Sequence, residues 1–419
     1  MISGGGLVHL RAADPHNVVR LILPGVGKDA PAAAARLLAE WMSDGVLIRD
    51  RTPALYLYEQ SGPSWRQRGI VGLVGLGDPD SAGILPHEDV MPGPVAGRRE
   101  LMAATEANLE PIFLVYDGEC GPEPSAESRS PSDRSAQTCG PTATQIVDQV
   151  ADERTPLLSI RTEDGVTHRL WRLDDPAQCQ QIAADLAGRR ALIADGHHRY
   201  AAYLQLQADM RVAGRGAGPW DYGLAFLVDS AACPPRLGAI HRVLPGLTLD
   251  RAVELASTAF KVEELPAGTD LDVALGRLAE EKRTAFLLVG SAAADGAAAG
   301  PGAHQYRLLS QPDPAQVAAS MPPGVSAPWQ SLDASILQQL LLVRLWGITD
   351  NEDDVLIQHD AAEAVAAVGG GTAVILNPVP FEAVREIAEH GERVPRKSTS
   401  FGPKPLTGLV LRTFGPRHR

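Results

Sequence analysis

One stretch constrains this chain more than any other: residues 191 to 204, Ala-Leu-Ile-Ala-Asp-Gly-His-His-Arg-Tyr-Ala-Ala-Tyr-Leu. The apolar run Ala191 to Ala194 reads as a buried strand and Asp195-Gly196 as a tight turn. His197 opens a helix with Tyr200, Ala201 and Leu204 among its apolar positions. Strand, glycine turn and helix start together suit an anion, because first-turn N–H groups lack intrahelical partners and the helix dipole places positive charge there. Gly196 lets a ligand approach the backbone, and Arg199 adds a fork of donors matched to phosphate. Adjacent helical residues point about 100° apart, so one of His197 and His198 can face a ligand while the other packs beneath. A plain structural reading also exists, with Asp195 as a helix cap and the histidines hydrogen-bonded in place. Five polar or small residues in succession after a buried strand favour the ligand site.

The chain around this stretch has 419 residues, enough for two or three domains with a sizeable core. Its net charge of -13 disfavours a nucleic-acid backbone as main partner. No apolar run is long enough to span a bilayer and the first residues lack a basic segment followed by an apolar one, so no membrane partner and a cytoplasmic location are expected. Cys120, Cys139, Cys179 and Cys233 have no metal-type spacing, and neither structural zinc nor a disulfide framework is expected.

Read in order, Pro15 to Leu23 looks like a buried strand, and Asp29 caps a helix through Trp41 that carries Pro31 in its first turn. Ala54 to Gln60 and Gly69 to Leu76 form two strands, followed by Ile84-Leu85 and a helix from about Gly97 to Asn108. Pro111 to Tyr116 is a strand, and residues 117–145 read as a flexible loop rich in Ser, Pro, Gly and Glu. A hairpin turns at Glu163-Asp164-Gly165, and a helix from Pro176 to Ala187 leads into the central stretch. Tyr222 to Val228 and Ala239 to Leu244 are further strands, with a domain boundary at Pro245-Gly246. Domain one is then residues 1–246 and domain two residues 247–419, a small α+β unit that includes an amphipathic helix from Leu332 to Trp346.

Two other clusters carry chemistry. His87-Glu88 follows a short apolar run, so a carboxylate and an imidazole emerge together at a strand end, where Glu88 suits a general base or a magnesium ligand. Arg396-Lys397-Ser398-Thr399 with Lys404 concentrates cations and hydroxyls in an acidic chain; it suits phosphate oxygens and equally a solvated basic face. Asp117-Gly118 reads as a turn, His241-Arg242 as a sheet-edge pair, and the acidic group Asp350, Glu352, Asp353 and Asp354 as a solvated loop. Phosphate-loop, nucleophile-elbow and His-Glu-x-x-His patterns are absent, and Gly72, Gly75 and Gly77 make no dinucleotide fingerprint.

Ile84 to Glu88, Ala107 to Tyr116, Ala194 to Tyr200, His241-Arg242 and Gly391 to Lys404 together resemble the bacterial and archaeal family of domain of unknown function number one thousand and fifteen. The likeness runs from about residue 14 to the end. That family looks like a member of the ParB and sulfiredoxin-like fold group, which includes ADP-dependent free-serine kinases with an Asp-Gly-His-His-Arg motif. The resemblance implies an α/β (α+β) chain, a ParB/sulfiredoxin-like mixed-sheet domain followed by a smaller α+β domain. It also implies that Asp195, Gly196, His197, His198 and Arg199 hold nucleotide phosphates and that Glu88 is the base. Family members carry further residues before the counterpart of Pro15-His16-Asn17, including a Pro-Pro-Tyr-Asp segment. The expectation for a chain without them is low stability, or self-association through an unpaired strand edge.

The leading expectation is a nucleotide-dependent phosphotransferase acting on a small hydroxylated metabolite, with free serine the first candidate. Glu88 and His198 would be catalytic, Asp195, Gly196, His197, Arg199, Lys397, Ser398, Thr399 and Lys404 would bind the cofactor, and Mg2+ with ADP or ATP would be that cofactor. One alternative is a non-catalytic or slow-hydrolysing nucleotide switch with a protein partner. Another is a metal-dependent hydrolase using Asp195, His197, His198 and His87.

Overall fold

The computed structural model describes residues 4–77, 83–118, 142–291, 304–351 and 354–415. Contacts divide the chain into two units, Met1–Pro235 with Pro403–Arg419, and Arg236–Gly402. The sequence reading drew one boundary, at 246; the contacts divide the chain twice, because its last residues return to the first unit.

The first unit opens with helices α1 (Gly4–Ala13), α2 (Val19–Ile22) and α3 (Ala30–Ser43), then strands β1 (Leu55–Gly62), β2 (Trp65–Gly75) and β3 (Ile84–Leu85). Helix α4 (Pro92–Thr105), β4 (Ala107–Asn108), β5 (Ile112–Tyr116) and α5 (Ala143–Glu153) follow. Next come the hairpin β6 (Leu158–Arg161) and β7 (Thr167–Leu173), then α6 (Pro176–Leu186), β8 (Ala191–Asp195), α7 (His197–Val212) and β9 (Tyr222–Asp229). Eight of these strands form one sheet in the order β3-β8-β5-β9-β2-β1-β7-β6. It is mixed: β3 runs parallel to β8 and β5 parallel to β9, while the other pairs are antiparallel.

Alternation along the strands decides what each face packs against. Ile112, Leu114, Ile193 and Ala225 meet Met102 of α4 and Ala202, Tyr203 and Leu206 of α7. Leu57, Ile70, Trp171 and Leu173 meet Ile146, Val147 and Val150 of α5 and Ile182 of α6. Ile70 and Leu227 are register partners, so both clusters lie on one face. On the opposite face Tyr58, Phe113 and Phe226 form a run of aromatic contacts. There the returning segment is tied down: the Gln67 amide donates to the Pro403 carbonyl (3.0 Å), and the Leu406 N–H donates to the Tyr58 hydroxyl (2.9 Å).

The second unit comprises β10 (Arg236–Gly238), β11 (His241–Leu244), α8 (Leu249–Ala256), β12 (Lys261–Glu264), α9 (Leu271–Ala279), β13 (Ala285–Ser291) and β14 (His304–Ser310). It continues with α10 (Pro314–Ser320), α11 (Ala327–Ser331), α12 (Asp333–Ile336), β15 (Leu356–Gln358), α13 (Ala361–Ala366), β16 (Thr372–Leu376), α14 (Phe381–Glu389) and β17 (Ser400–Gly402). Its main sheet is antiparallel throughout, in the order β12-β14-β13-β16-β11-β15. Back in the first unit, β18 (Arg412–Thr413) pairs with β4. The chain is therefore α/β in class, a mixed-sheet unit with a smaller α+β unit.

Four local expectations are corrected. The run expected as a strand at Pro15 to Leu23 contains helix α2: the Asn17 side chain accepts the Val19 N–H (3.1 Å), and Val19 and Leu21 are buried, Leu21 with Leu38 and Trp41 of α3. A short apolar run fits either structure by period alone, and packing against a helix decided it. Asp29 stands before α3 as expected, but its side chain makes no capping bond. Helix α4 starts at Pro92 and ends before Glu106, whose φ of 49° is left-handed, so Asn108 is in a strand. Only one turn of the expected Leu332 to Trp346 helix is α-helical; Leu337–Leu345 is π-helical.

The expected flexible loop lies outside the described residues from 119 to 141, as do Cys120 and Cys139. Its last residues belong to α5, where Thr142 and Gln145 form a reciprocal capping box. Among the described residues no helix is long and apolar enough to cross a membrane.

Candidate functional site

Strand β8 ends at Asp195, and Gly196 turns the chain into α7 with φ of 101°, a conformation that L side chains rarely adopt. A Cβ there would sit 3.2 Å from both the Arg199 Nε and the Ile112 Cγ2, so close packing adds to the conformational demand for glycine. The choice also affects the helix end. Thr142, Asp175, Asp313, Ser326 and Asp360 cap their helices with side-chain oxygens, whereas Gly196 offers none to the first turn of this 16-residue helix.

Strand β3 lies beside β8 and brings His87 and Glu88 to this turn. The His87 backbone N–H donates to Nε2 of His197 (3.2 Å), and the two rings meet edge-on with centroids 4.5 Å apart. With Nε2 accepting, the neutral His197 ring carries its proton on Nδ1, which is 4.0 Å from Oε2 of Glu88. His197 is buried, and the Glu88 side chain is 27% exposed, placing the carboxylate at the surface of the turn. Nε2 of His198 likewise accepts a backbone N–H, that of Met91 (3.1 Å), so the neutral ring's proton is on Nδ1.

Charge accumulates at Asp195. Arg199 donates to its carboxylate one helical turn back, and Lys404 reaches it from the returning segment at 2.7 Å. Desolvation pushes the Asp195 carboxyl up, but the charges of Arg199, Lys404 and Arg98 outweigh it and hold the group below its ordinary range. Arg199 also donates to the Pro111 carbonyl and lies 3.9 Å from Glu110. The fork expected to grip a ligand thus binds β8 and the residues just before β5 to the helix.

The structure brings Glu88, Asp195, Gly196, His197, His198, Arg199 and Lys404 together. Lys397, Ser398 and Thr399 belong to the second unit, where the Ser398 hydroxyl is buried and donates to the Pro395 carbonyl (2.5 Å). Arg98, on α4, was missed; its only sequence signal is a position on a helix whose neighbours could not be read from spacing. Among the described residues no group of three or more His, Cys, Asp or Glu side chains is disposed to hold a metal. The hydrolase alternative built on Asp195, His197, His198 and His87 therefore lacks its ligand set. A cavity of about 40 Å³ lies elsewhere in this unit, lined by Arg68, Tyr116, Thr144, Asp148, Asp229 and Cys233 among others. That volume suits a few waters, and its Asp229 is saturated by Thr144 and the N–H groups of Gly118, Ala231 and Ala232.

The sequence profile of one family matches residues 1–128 and 137–335, more than half of the chain. The chain belongs to that family, described as Protein of unknown function (DUF1015). No curated protein sequence matches this DUF1015 chain. Among solved structures it is similar to a free serine kinase in complex with AMP, at 15% identity and a TM-score of 0.33, covering 79% of this chain and 87% of that one. It is also similar to SbnI with C-terminal truncation from Staphylococcus aureus, at 11% identity and a TM-score of 0.34, covering 79% and 82%. A conserved hypothetical protein from Pyrococcus furiosus matches at 13% identity and a TM-score of 0.33, covering 79% and 90%.

Proposed function

We propose that this protein is a nucleotide-dependent phosphotransferase acting on a small hydroxylated metabolite, with free serine the first candidate. The observation that carries the reading is the start of α7. Its cap is a left-handed glycine with no side chain to offer, and Glu88 stands beside the same turn against His197. A helix start of this kind favours phosphate oxygens through its N–H groups and dipole.

In the proposed step the acceptor hydroxyl oxygen bonds to the terminal phosphorus of the nucleotide as the bridging oxygen bond breaks. The hydroxyl proton passes to Glu88, and the negative charge leaves on the nucleotide. His198, with its proton on Nδ1, would donate to a phosphoryl oxygen, while Asp195, Gly196, His197, Arg199 and Lys404 would shape and charge the phosphate end of the site. Mg2+ keeps several waters and is held largely through substrate phosphates, so ADP or ATP would carry it into the site while Glu88 serves as the base. When bound it would neutralise phosphate charge. The resemblance of the Asp195 to Arg199 motif to that of free-serine kinases supports the choice of acceptor.

The test is calorimetry with ADP, ATP and CTP plus Mg2+ on the full chain and on Arg199→Ala and Glu88→Gln, followed by transfer to serine. Binding weakened by Arg199→Ala is expected. Glu88→Gln should bind normally and lose most turnover. Absence of binding to all three nucleotides would overturn the reading, and binding without transfer to any hydroxyl acceptor would leave the switch alternative in its place.

A further inference from the structure

Arg242 is a buried charge in the second unit that the phosphotransferase reading does not use. Along β11 the side chains alternate between the two faces of the sheet. Val243 packs with Leu287, Val289 and Ile375, while Leu244 packs with Phe286, Leu288 and Val374 on the other. Arg242 shares the face of Leu244, and its register partners there are Val374 and Ile357, both part of the same apolar cluster. A guanidinium among such neighbours is a costly placement unless something opposes its charge.

What the protein supplies is hydrogen bonding without charge. Arg242 is 4% exposed. Its Nη1 donates to the Ile240 carbonyl (3.2 Å), and its Nη2 donates to the carbonyls of Arg396 (3.1 Å) and Lys397 (3.0 Å). Its Nε is buried with no partner, and among the described residues no carboxylate stands within ion-pair distance. Asp350 is the acid whose field reaches it, while the like charge of Arg396 disfavours it further.

The two carbonyls belong to a constrained turn. The Ser398 hydroxyl closes it onto Pro395, and Lys397 adopts a φ of 55°, a left-handed conformation that a non-glycine residue holds at a cost. Arg396 is exposed and Lys397 half-buried, so two further cations ride on the turn that Arg242 fastens from below.

We propose that Arg242 and the turn carrying Arg396 and Lys397 form an anion site in the second unit, built for the phosphate group of a small phosphorylated metabolite. Arg396 and Lys397 would touch the phosphate, and Arg242 would act as a positioning residue whose buried charge is balanced when the anion binds. Lys397, expected from the sequence at the nucleotide, is here assigned to this second site, which does not depend on the phosphotransferase reading.

The experiment titrates inorganic phosphate, with acetate as comparison, into the full chain and follows binding by calorimetry and thermal shift. The variants are the double substitution Arg396→Ala with Lys397→Ala, Arg242→Lys, and Arg199→Ala. The double variant is expected to weaken one phosphate-binding component at least tenfold with circular dichroism unchanged, and Arg199→Ala to retain that same component. Arg242→Lys keeps the charge but loses the fork, and should weaken binding severalfold. Unchanged phosphate affinity in the double variant would overturn the proposal. Loss of phosphate binding only in Arg199→Ala would also overturn it, placing the sole anion site at α7 and leaving the nucleotide reading intact. Acetate binding as tightly as phosphate would overturn the assigned ligand class.

Discussion

Nζ of Lys404 lies 2.7 Å from Oδ1 of Asp195, joining the returning end of the chain to the last residue of β8. With Arg199 and Arg98 it holds the Asp195 carboxyl below its ordinary range. Lys404→Met should therefore raise the Asp195 pKa, read by carbon NMR of the carboxyl. A carboxylate with a depressed folded-state pKa adds stability that is present above its unfolded value and lost as pH falls through the folded one. Stability of Asp195→Asn should accordingly fall less steeply below about pH 4. Because Lys404 is 62% exposed, its share should shrink in high salt. An unmoved Asp195 titration in Lys404→Met would remove Lys404 from the site.

Gly196→Ala places a Cβ in a left-handed turn, 3.2 Å from Arg199 and Ile112. A loss of about 2 kcal/mol in urea unfolding is expected, along with weakened nucleotide binding as the turn shifts. A variant as stable as the parent would show that the turn tolerates a side chain.

His241 is buried on β11, its Nδ1 accepting the Leu376 N–H (3.3 Å), and burial pushes its pKa down to about 4. The unfolded chain then binds the extra proton first. Stability contributed by the neutral ring is complete above about pH 6.5 and declines as pH falls toward the folded value, by on the order of 3 kcal/mol. Denaturation midpoints of His241→Gln measured from pH 7 to 4 should show a flatter slope than the parent. Parallel slopes would count against this role.

Glu59 and Arg68 form a buried pair at 2.6 Å, extended by Arg169 at 2.8 Å and Asp148 at 2.5 Å. Arg68→Met leaves Glu59, whose side chain is 4% exposed, with Arg169 as its remaining cation, so the expected cost is at the low end for a broken buried pair, about 3 kcal/mol. Adding Glu59→Gln should restore part of that loss, so strictly additive destabilisation in the double variant would argue that the two side chains act separately.

The α7 junction was legible before any fold because it is local. An apolar run, a glycine and a polar helix start within 14 residues specify strand, turn and helix through short-range sterics and periodicity alone. The β6–β7 hairpin and the β1–β2 pair were legible for the same reason. Helix α2 was not, since so short an apolar run fixes no period, and packing of Leu21 against Leu38 and Trp41 selects the helix. The π-helical Leu337–Leu345 was likewise hidden, because i→i+5 bonding leaves the apolar composition unchanged.

The sequence by itself determined that Asp195 to Arg199 would stand at a strand-to-helix turn and that Glu88 would leave a strand end, because each depends on neighbours a few residues away. Only the tertiary structure decided what those groups meet. Lys404 reaches Asp195 across 209 positions (404 minus 195) and Met91 reaches His198 across 107. Arg199 turns inward to Asp195 and Pro111, while Lys397 to Thr399 fall in another unit. Long-range pairing follows from strand order and the return of the chain's end, and no spacing along the chain encodes the distance at which two charges finally sit.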